Sequence, residues 1–336
     1  MPTAFKPAWW LPNPHLQTLY PALLRRVPPL LCYRRERLMT PDEDFIDIDW
    51  CGQTGPLIIL LHGLTGSSQS SYSKGLQHRL YRLGFRSVAL NFRGCSGESN
   101  LTARCYHSGE TGDVDFLYRT LRRREPGTPI AAIGFSLGGN VLLKWLGEKG
   151  RKLSLFAAVA VSVPLLLDVC ASKLDNGFSK IYRKNLLGEL KQYLDIKLRH
   201  LERTGKSLEA EKIRQLGDLS DIKSFWQYDD RVVAKLYGFK DVHDYYRRSS
   251  SRQFLDKITV PTLVIQADDD PFMTPAVIPG NKELSENVQL QVTRGGGHVG
   301  FISGSNPFQP RYWLEQCIPE FLQQQCPSKD AVHTFM

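Results

Sequence analysis

The sequence lacks the cysteine patterns of disulfide-stapled and zinc-binding proteins. Its 336 residues include seven cysteines, an odd number, and no two of them form a CxxC pair. This usage argues against both a disulfide framework and a cysteine-rich metal site. Because free thiols suit a reducing compartment, we predict a cytoplasmic location. Nothing in the sequence calls for a metal ion or an organic cofactor, so we predict neither.

Long apolar runs are also missing. Prolines and polar residues interrupt the N-terminal stretch where a signal peptide needs continuous apolar residues. The longest apolar run, Leu153 to Leu167, contains serines and a proline and falls short of the about 20 residues that span a membrane. We therefore expect no transmembrane helix and a soluble chain that is at most peripheral to a membrane.

Basic residues exceed acidic ones, but they form no long run. The net charge is +9, which favours anionic partners in general. Only two short clusters occur, at 34–37 and 122–124, so we expect no nucleic-acid site and favour a solvated basic surface. A less favoured alternative is contact of the N-terminal residues with an anionic membrane, through Trp9, Trp10, Leu23, Leu24 and Arg25.

Apolar segments typical of strands alternate with helical segments along most of the chain. Leu57–Leu61 is uniformly apolar, as expected for a strand covered on both faces. Residues 45–50 alternate apolar and acidic side chains, which indicates a half-exposed strand. We predict further strands at 87–91, 130–134, 157–163, 262–266 and 288–292. This order predicts an α/β fold with a mostly parallel central sheet and helices on both faces.

The pattern divides the chain into three parts. Residues 1–40 are irregular and are predicted to form an N-terminal arm. Residues 41–163 and 257–330 form the predicted α/β core. Residues 164–256, with helical charge spacing and little strand signal, are predicted to be a helical cap inserted after the sixth strand. Its aromatic side chains could line an apolar pocket, although core packing is at least as well supported.

A GxSxG sequence, Gly134 to Gly138, follows an apolar strand and precedes a helix. In that context the serine is predicted to stand at the apex of a tight strand-to-helix turn, a nucleophile elbow. The helix N-terminus behind it favours negative charge developing near the hydroxyl. We therefore predict that Ser136 is a catalytic nucleophile.

A second glycine-containing loop, His62 to Gly66, follows the Leu57–Leu61 strand. Acyl transfer needs two backbone N–H donors for the oxyanion. We assign them to Leu64 in this loop and to Leu137, the residue after the nucleophile. The competing interpretation is an ordinary glycine turn. His62 is predicted to shape the loop, without acting as an acid or base.

The predicted general base and its orienting carboxylate come later in the chain. Of eight histidines, only His298 follows both a late strand and a flexible glycine run, Gly295–Gly297. Three adjacent acids follow the 262–266 strand. Asp270, which precedes Pro-Phe-Met, is the predicted orienting acid, and Asp269 is the alternative. The order serine, acid, histidine is that of α/β-hydrolases.

Several longer strings resemble the YheT-like esterase family, the bacterial relatives of the eukaryotic abhydrolase-domain lipases. They cover nearly the whole chain: residues 13–18 (NPHLQT), 62–64, 91–98 (NFRGCSGE), 106–110 (YHSGE), 134–140, 269–272 and 296–301. The resemblance implies an α/β-hydrolase fold and a relay of Ser136, Asp270 and His298. It also implies esterase or acylglycerol-lipase chemistry on a small ester or a lipid.

Three of these strings, NPHLQT, NFRGCSGE and YHSGE, have no catalytic role that the sequence alone provides. Arg93, His107 and Glu110 could lie at the mouth of the site. A buried polar network that holds the loop is the favoured interpretation. Thioester hydrolysis, acyl transfer and a non-catalytic binding module remain alternatives to ester hydrolysis, because fold alone does not decide function.

Overall fold

The computed structural model describes residues 4–27 and 33–327. Its main element is an eight-stranded sheet with the order β1-β2-β4-β3-β5-β6-β7-β8. The β1–β2 and β2–β4 pairs are antiparallel, and all the others are parallel. The strands are β1 Tyr33–Met39, β2 Phe45–Cys51, β3 Leu57–Leu61, β4 Arg86–Asn91, β5 Ile130–Phe135, β6 Ala157–Val161, β7 Thr262–Ala267 and β8 Val288–Thr293. Two short strands, β9 Ile302–Ser303 and β10 Arg311–Tyr312, pair separately.

Helices connect the parallel strands and cover both faces of the sheet. Outside the predicted cap they are α1 Pro14–Leu23, α2 Ser71–Arg82, α3 Gly112–Arg124, α4 Leu137–Lys149 and, near the end of the described residues, α11 Leu314–Gln325. The insertion between β6 and β7 contains α5 Leu167–Leu174, α6 Ser179–Arg203, α7 Ser207–Arg214, α8 Phe225–Tyr228, α9 Lys235–Tyr237 and α10 Val242–Ser249. A π-helical segment, Asp229–Ala234, joins α8 to α9. This arrangement confirms the predicted α/β fold with helices after the sixth strand.

The sheet separates two apolar cores. Because side chains alternate along a strand, Ile59 and Leu61 of β3 join a core with α3 and α4. Ile58 and Leu60 join a second core with α2 and α11. All five residues of β3 are buried, as the uniformly apolar sequence predicts for a strand covered on both faces.

The structure differs from two sequence predictions, the irregular N-terminal arm and the half-exposed strand at 45–50. The predicted irregular arm contains helix α1 and the whole of β1, an edge strand of the main sheet. All seven residues of β2 are buried, including Asp47 and Asp49. Arg37 and Arg35 of β1 each make bidentate hydrogen bonds to these carboxylates, at 2.8–2.9 Å. The acids are therefore buried because they are paired across the strands, a relationship that periodicity within one strand does not reveal.

The insertion has an apolar core of its own. Leu187, Leu190 and Leu194 of α6 pack with Tyr228, Tyr245 and Tyr246 from the later helices. The cluster also takes in Ala103 and Cys105 from the loop after β4. The inserted helices are thus packed onto the core near the carboxyl ends of the central strands.

The order and direction of the strands indicate where a ligand site lies. From β3 the sheet grows towards β4 on one side and towards β5 on the other. Ligands bind in α/β sheets at such a switch point, beyond the carboxyl ends of the strands. The loops that follow β3 and β5 carry His62–Gly66 and Ser136, so both predicted elements meet at this position.

Candidate active site

Ser136 stands at a strained turn between β5 and α4. Its backbone has φ 50° and ψ −120°, a left-handed conformation that a residue with a Cβ rarely adopts. A Cβ at Gly134 would lie 2.4 Å from the Gly138 carbonyl oxygen across the turn, and a Cβ at Gly138 would lie 2.4 Å from the His62 carbonyl oxygen in the loop after β3. The two glycines of GxSxG are therefore required by backbone contact, and the turn presents the serine hydroxyl at the edge of the sheet.

His298 and Asp270 complete a chain of hydrogen bonds that begins at Ser136. The Nε2 atom of His298 lies 2.9 Å from Ser136 Oγ. Its Nδ1 atom lies 2.8 Å from Asp270 Oδ2, so the proton on that nitrogen is donated to the carboxylate. Asp270 also accepts the Phe272 backbone N–H at 2.8 Å. The Phe272 ring stacks in parallel on the imidazole with a centroid separation of 4.0 Å, which fixes the plane of His298.

The other two acids of the run have different partners. Asp269 accepts the N–H of Gly297, and Asp268 accepts the N–H of Gly295, at 2.9 and 2.7 Å. Burial raises the pKa of the Asp269 carboxyl above its usual range. Of the two candidates for the orienting acid, Asp270 is thus the one in contact with His298, while Asp269 holds the glycine loop.

Helix α1 holds the loop that carries His298, a relationship absent from the sequence analysis. The Thr18 hydroxyl accepts the His298 backbone N–H at 2.9 Å and donates to the Pro14 carbonyl. Gln17, buried in the same helix, pairs with both backbone groups of Ile302. The NPHLQT string is the sequence signal for this clamp, but its partner lies 280 residues away and cannot be identified from spacing.

Two tyrosines fix the loop that follows β3. Tyr72 accepts the N–H of Gly63 at 2.8 Å, and Tyr106 accepts the N–H of Thr65 at 2.9 Å. Within residues 4–27 and 33–327, no hydrogen bond engages the Leu64 N–H between them. A Cβ on Gly63 would come within 3.3 Å of the Ser136 Cβ, so the loop lies directly against the serine.

His62 is neutral and structural. It accepts the Phe92 backbone N–H at Nε2, 3.1 Å away, which leaves the proton on Nδ1 to bond the Gly63 carbonyl at 2.8 Å. Complete burial lowers the pKa of His62 to about 4. The ring therefore carries no charge near neutral pH, and it connects the loop after β3 to the end of β4.

The backbone N–H of Leu137 is the second predicted oxyanion donor. It opens helix α4, and the first N–H groups of a helix have no acceptor within the helix. Leu64 and Leu137 line the same cavity as Ser136. Both residues therefore belong to the lining of the cavity that contains the serine.

Arg93 and Glu110 belong to a buried polar network. Arg93 donates twice to Asp113, at 2.9 and 2.7 Å, and also reaches Asp42 and Asp44. Glu110 pairs with Arg104 and accepts the Gly112 N–H. A buried polar network is the role that the sequence favours for these two residues. His107 is buried beside Glu110 but also lines the cavity, so the YHSGE string contributes to both.

A mostly apolar cavity of about 310 Å³ contains Ser136 and His298. One part of its lining comes from the inserted helices, including Leu174, Leu190 and Tyr228, and another from α1 and α2, including Pro21 and Leu76. The aromatic residues of the insertion therefore both pack its core and line the cavity, so the two interpretations of these residues do not exclude each other.

The cavity lining also contains the carboxyl group of Asp229, which is not part of the Ser136–His298–Asp270 chain. Asp229, in the π-helical segment, accepts the Tyr246 hydroxyl at 2.7 Å. Burial raises the pKa of its carboxyl to about 7. Its protonation state thus changes near neutral pH.

The described part of the chain has neither a metal-binding cluster nor a membrane-spanning helix. Within residues 4–27 and 33–327, no cluster of three or more His, Cys, Asp or Glu side chains is arranged for a metal ion. No helix in these two ranges combines the length and apolar character needed to cross a bilayer.

Comparison with known proteins identifies the family. The family model for the alpha/beta hydrolase fold matches residues 56–305, and the chain belongs to this family. It is 40% identical over 332 residues to an Escherichia coli protein named "Putative esterase YheT", covering 97% of this chain and 95% of that one. It is 32% identical over 330 residues to mouse "Phospholipase ABHD3", covering 95% and 78%. These matches confirm the resemblance and the prediction of a hydrolase.

Solved structures agree on the fold. The Pyrococcus furiosus esterase Pf2001 superimposes with a TM-score of 0.54, covering 89% of this chain and 96% of that one. Sequence identity is only 17%, so the likeness supports the architecture alone.

Proposed function

We propose that the chain is a serine hydrolase that cleaves carboxylic esters through an acyl-enzyme on Ser136. The observation that carries this proposal is the continuous hydrogen-bond chain from Ser136 through His298 to Asp270, with links of 2.9 and 2.8 Å. A nucleophile in contact with a base that a third group orients is the geometry of covalent acyl transfer.

In the first half of the reaction His298 takes the proton from Ser136 as the hydroxyl attacks the ester carbonyl. Asp270 keeps the proton of the free imidazole on Nδ1 and stabilises the imidazolium that forms. The developing oxyanion is held by the N–H groups of Leu64 and Leu137. Loss of one such donor typically costs about 3–4 kcal/mol of transition-state stabilisation.

The first tetrahedral intermediate collapses when its bond to the alkoxy oxygen breaks and His298 gives its proton to the leaving alcohol, so the acyl group stays on Ser136. In the second half water enters, and His298 removes a proton from it as its oxygen attacks the acyl carbon. The bond to Ser136 Oγ then breaks as His298 returns that proton to the serine, and the carboxylic acid is released. Proton transfer and charge stabilisation both come from side chains and backbone groups of the chain itself, so the proposed mechanism needs no metal ion or organic cofactor.

The substrate is proposed to be an ester with an apolar acyl group, of the esterase or acylglycerol-lipase type. The lining around Ser136 supports this choice, since leucines and aromatic rings dominate it and apolar pockets gain from burying acyl carbon. The names of the relatives, an esterase and a phospholipase, are consistent with an ester of this kind.

Thioester hydrolysis and acyl transfer to an acceptor other than water remain alternatives, because both use the same acyl-enzyme. They differ from ester hydrolysis in the leaving group and in the group that accepts the acyl chain. A binding module without catalysis is a further alternative. The hydrogen bond between Ser136 and His298 argues against it, because a binding pocket needs no base beside the serine.

The proposal is tested by hydrolysis of p-nitrophenyl esters with acyl chains from two to sixteen carbons. We expect the wild type to hydrolyse these esters and Ser136→Ala to lose the activity. The acyl chain length with the highest turnover should report the size of the acyl pocket. The matched control is Ser71→Ala, because Ser71 lines the same cavity but bonds the Pro21 carbonyl, not an imidazole.

The control should keep its turnover and its labelling by a fluorophosphonate. Unchanged turnover in Ser136→Ala would show that Ser136 is not the nucleophile. Absence of both turnover and labelling in wild type would favour the binding module.

A further inference from the structure

Helix α1 exposes large apolar side chains to solvent. Leu16 and Leu23 in the helix and Leu24 just after it are 47%, 74% and 66% exposed. Trp9, before the helix, is 71% exposed, and Phe308 is 93% exposed. Isolated exposed apolar residues need no explanation, whereas a contiguous set on one surface marks an interaction site.

Two contacts bring together the segments that carry these residues. The Trp9 indole donates to the Ser305 carbonyl at 3.0 Å, which brings the N-terminal segment against the loop that carries Phe308. His15 of α1 packs on the ring of Phe178, which precedes α6 and is 47% exposed, with a centroid separation of 4.2 Å. We call this set the apolar rim: Trp9, Leu16, Leu23, Leu24, Phe178 and Phe308.

The segments that form the apolar rim are strongly basic. Residues 4–27, 171–187 and 304–313 contain eight Lys and Arg residues and a single acid, Asp175. Asp175 is paired with Arg183 at 2.7 Å, and Glu315, just beyond the last segment, is paired with Arg25. With eight basic residues and one acid, the three segments that carry the rim account for seven of the chain's nine excess positive charges.

The opposite side of α1 faces the cavity of Ser136. Pro21 and Ala22 line that cavity, and Ala22 is also exposed. Ala22, which lines the cavity, is thus the chain neighbour of Leu23 of the apolar rim.

We propose that the apolar rim docks the protein on the surface of an anionic phospholipid bilayer. Exposed Trp, Phe and Leu side chains enter the boundary between headgroups and acyl chains, and the surrounding Lys and Arg side chains attract anionic headgroups. The rim combines both contributions on one face.

A second copy of the chain is a poorer occupant of the same surface. In a symmetric dimer the rim would meet itself, and the unpaired basic residues of one copy would meet the same residues of the other. Like charges across an interface oppose association. An anionic membrane satisfies the apolar and the basic side chains together.

The test is co-sedimentation with vesicles of phosphatidylcholine alone or with one third phosphatidylglycerol. The parent protein is Ser136→Ala, so that the result does not depend on hydrolysis or on the proposed function. The test variant carries Leu16→Gln, Leu23→Gln and Phe308→Gln. The control is Leu208→Gln, because Leu208 is 83% exposed on α7, which pairs with the far end of α6 through Arg214 and Glu202.

We expect the parent and the control to bind vesicles containing phosphatidylglycerol, and binding to weaken as salt is raised. The triple variant should bind roughly tenfold or more weakly, since three apolar side chains no longer enter the interface. The proposal is overturned if the parent does not bind, if the triple variant binds like the parent, or if phosphatidylcholine alone binds equally well. A parent dimer that the triple variant abolishes would assign the rim to a second copy instead.

Discussion

Thr18 accepts a hydrogen bond from the backbone N–H of His298 at 2.9 Å, across 280 residues of sequence. The threonine lies on α1, within the segment that the sequence predicts to be an irregular arm. Its hydroxyl is one of the groups that hold the loop on which the proposed base is carried. The N-terminal segment is therefore part of the site's support, and its removal or loosening should change catalysis.

Thr18→Val should lower kcat for a p-nitrophenyl ester by roughly tenfold with little change in KM. The shape of the side chain is kept, but the His298 N–H loses its acceptor, which costs about 1–2 kcal/mol. Thr18→Ser keeps a hydroxyl and should restore most of the activity. If Val and Ser variants behave alike, the hydrogen bond does not position His298.

Asp270→Asn and Asp269→Asn separate the two acids. Asp270→Asn should lower kcat by roughly 10³–10⁴-fold, because the amide no longer holds the required tautomer of the imidazole. Asp269→Asn should cost far less, since an amide oxygen can still accept the Gly297 N–H. Both variants are assayed at saturating ester, and equal losses would argue against Asp270 as the sole orienting acid.

Tyr106→Phe should reduce kcat by roughly tenfold through the loop after β3. The Thr65 N–H loses its acceptor, so the neighbouring Leu64 N–H is held less firmly beside the serine. The expected loss of transition-state stabilisation is a part of what removal of an oxyanion donor costs. Tyr118→Phe is the matched control, because its hydroxyl also accepts a backbone N–H, that of Ser154 at 2.9 Å, but beside α4 and away from the site. It should lower stability without lowering kcat.

Asp229→Asn should stabilise the protein at pH 8 and change little at pH 4. Burial raises the pKa of Asp229 to about 7 in the folded state, whereas an unfolded aspartate titrates near 3.9. The stability conferred by the protonated carboxyl is therefore complete below about pH 4 and is lost as pH rises through 7. The gain at pH 8 should be roughly 2–4 kcal/mol.

Thermal unfolding of wild type and Asp229→Asn across pH 4–8 measures this effect. The neighbouring Asp230→Asn is the control, because Asp230 is exposed and its amide replacement can still accept the Val242 N–H. A constant difference between Asp229→Asn and wild type at every pH would show that the carboxyl does not titrate as described.

Local patterns account for most of the fold and for the candidate site. Strand-turn-helix context around Ser136, the glycine run before His298 and the acids after β7 each follow from short segments whose chemistry is local. Their meeting point follows from parallel strands ending at one edge of the sheet. The sequence could not separate Asp269 from Asp270, because the choice depends on which carboxylate points at a ring delivered by another loop.

The missed elements depend on pairing between distant segments. Strand β1, Tyr33–Met39, has charged residues where apolar ones would signal a strand, and Arg35 and Arg37 pair with Asp49 and Asp47 of β2. Helix α1 leaves leucines exposed, so no buried stripe predicts its place. The basic residues look scattered along the chain because their clustering exists only after folding.

The most direct measurement of the central claim is rapid quenching of wild type with an excess of a p-nitrophenyl ester, followed by mass spectrometry of the digested protein. The account predicts a release of p-nitrophenol of about one equivalent before steady turnover, and one acyl adduct on the peptide that contains Ser136. The adduct should be absent in Ser136→Ala. Adducts confined to another residue, or turnover that continues in Ser136→Ala, would contradict it.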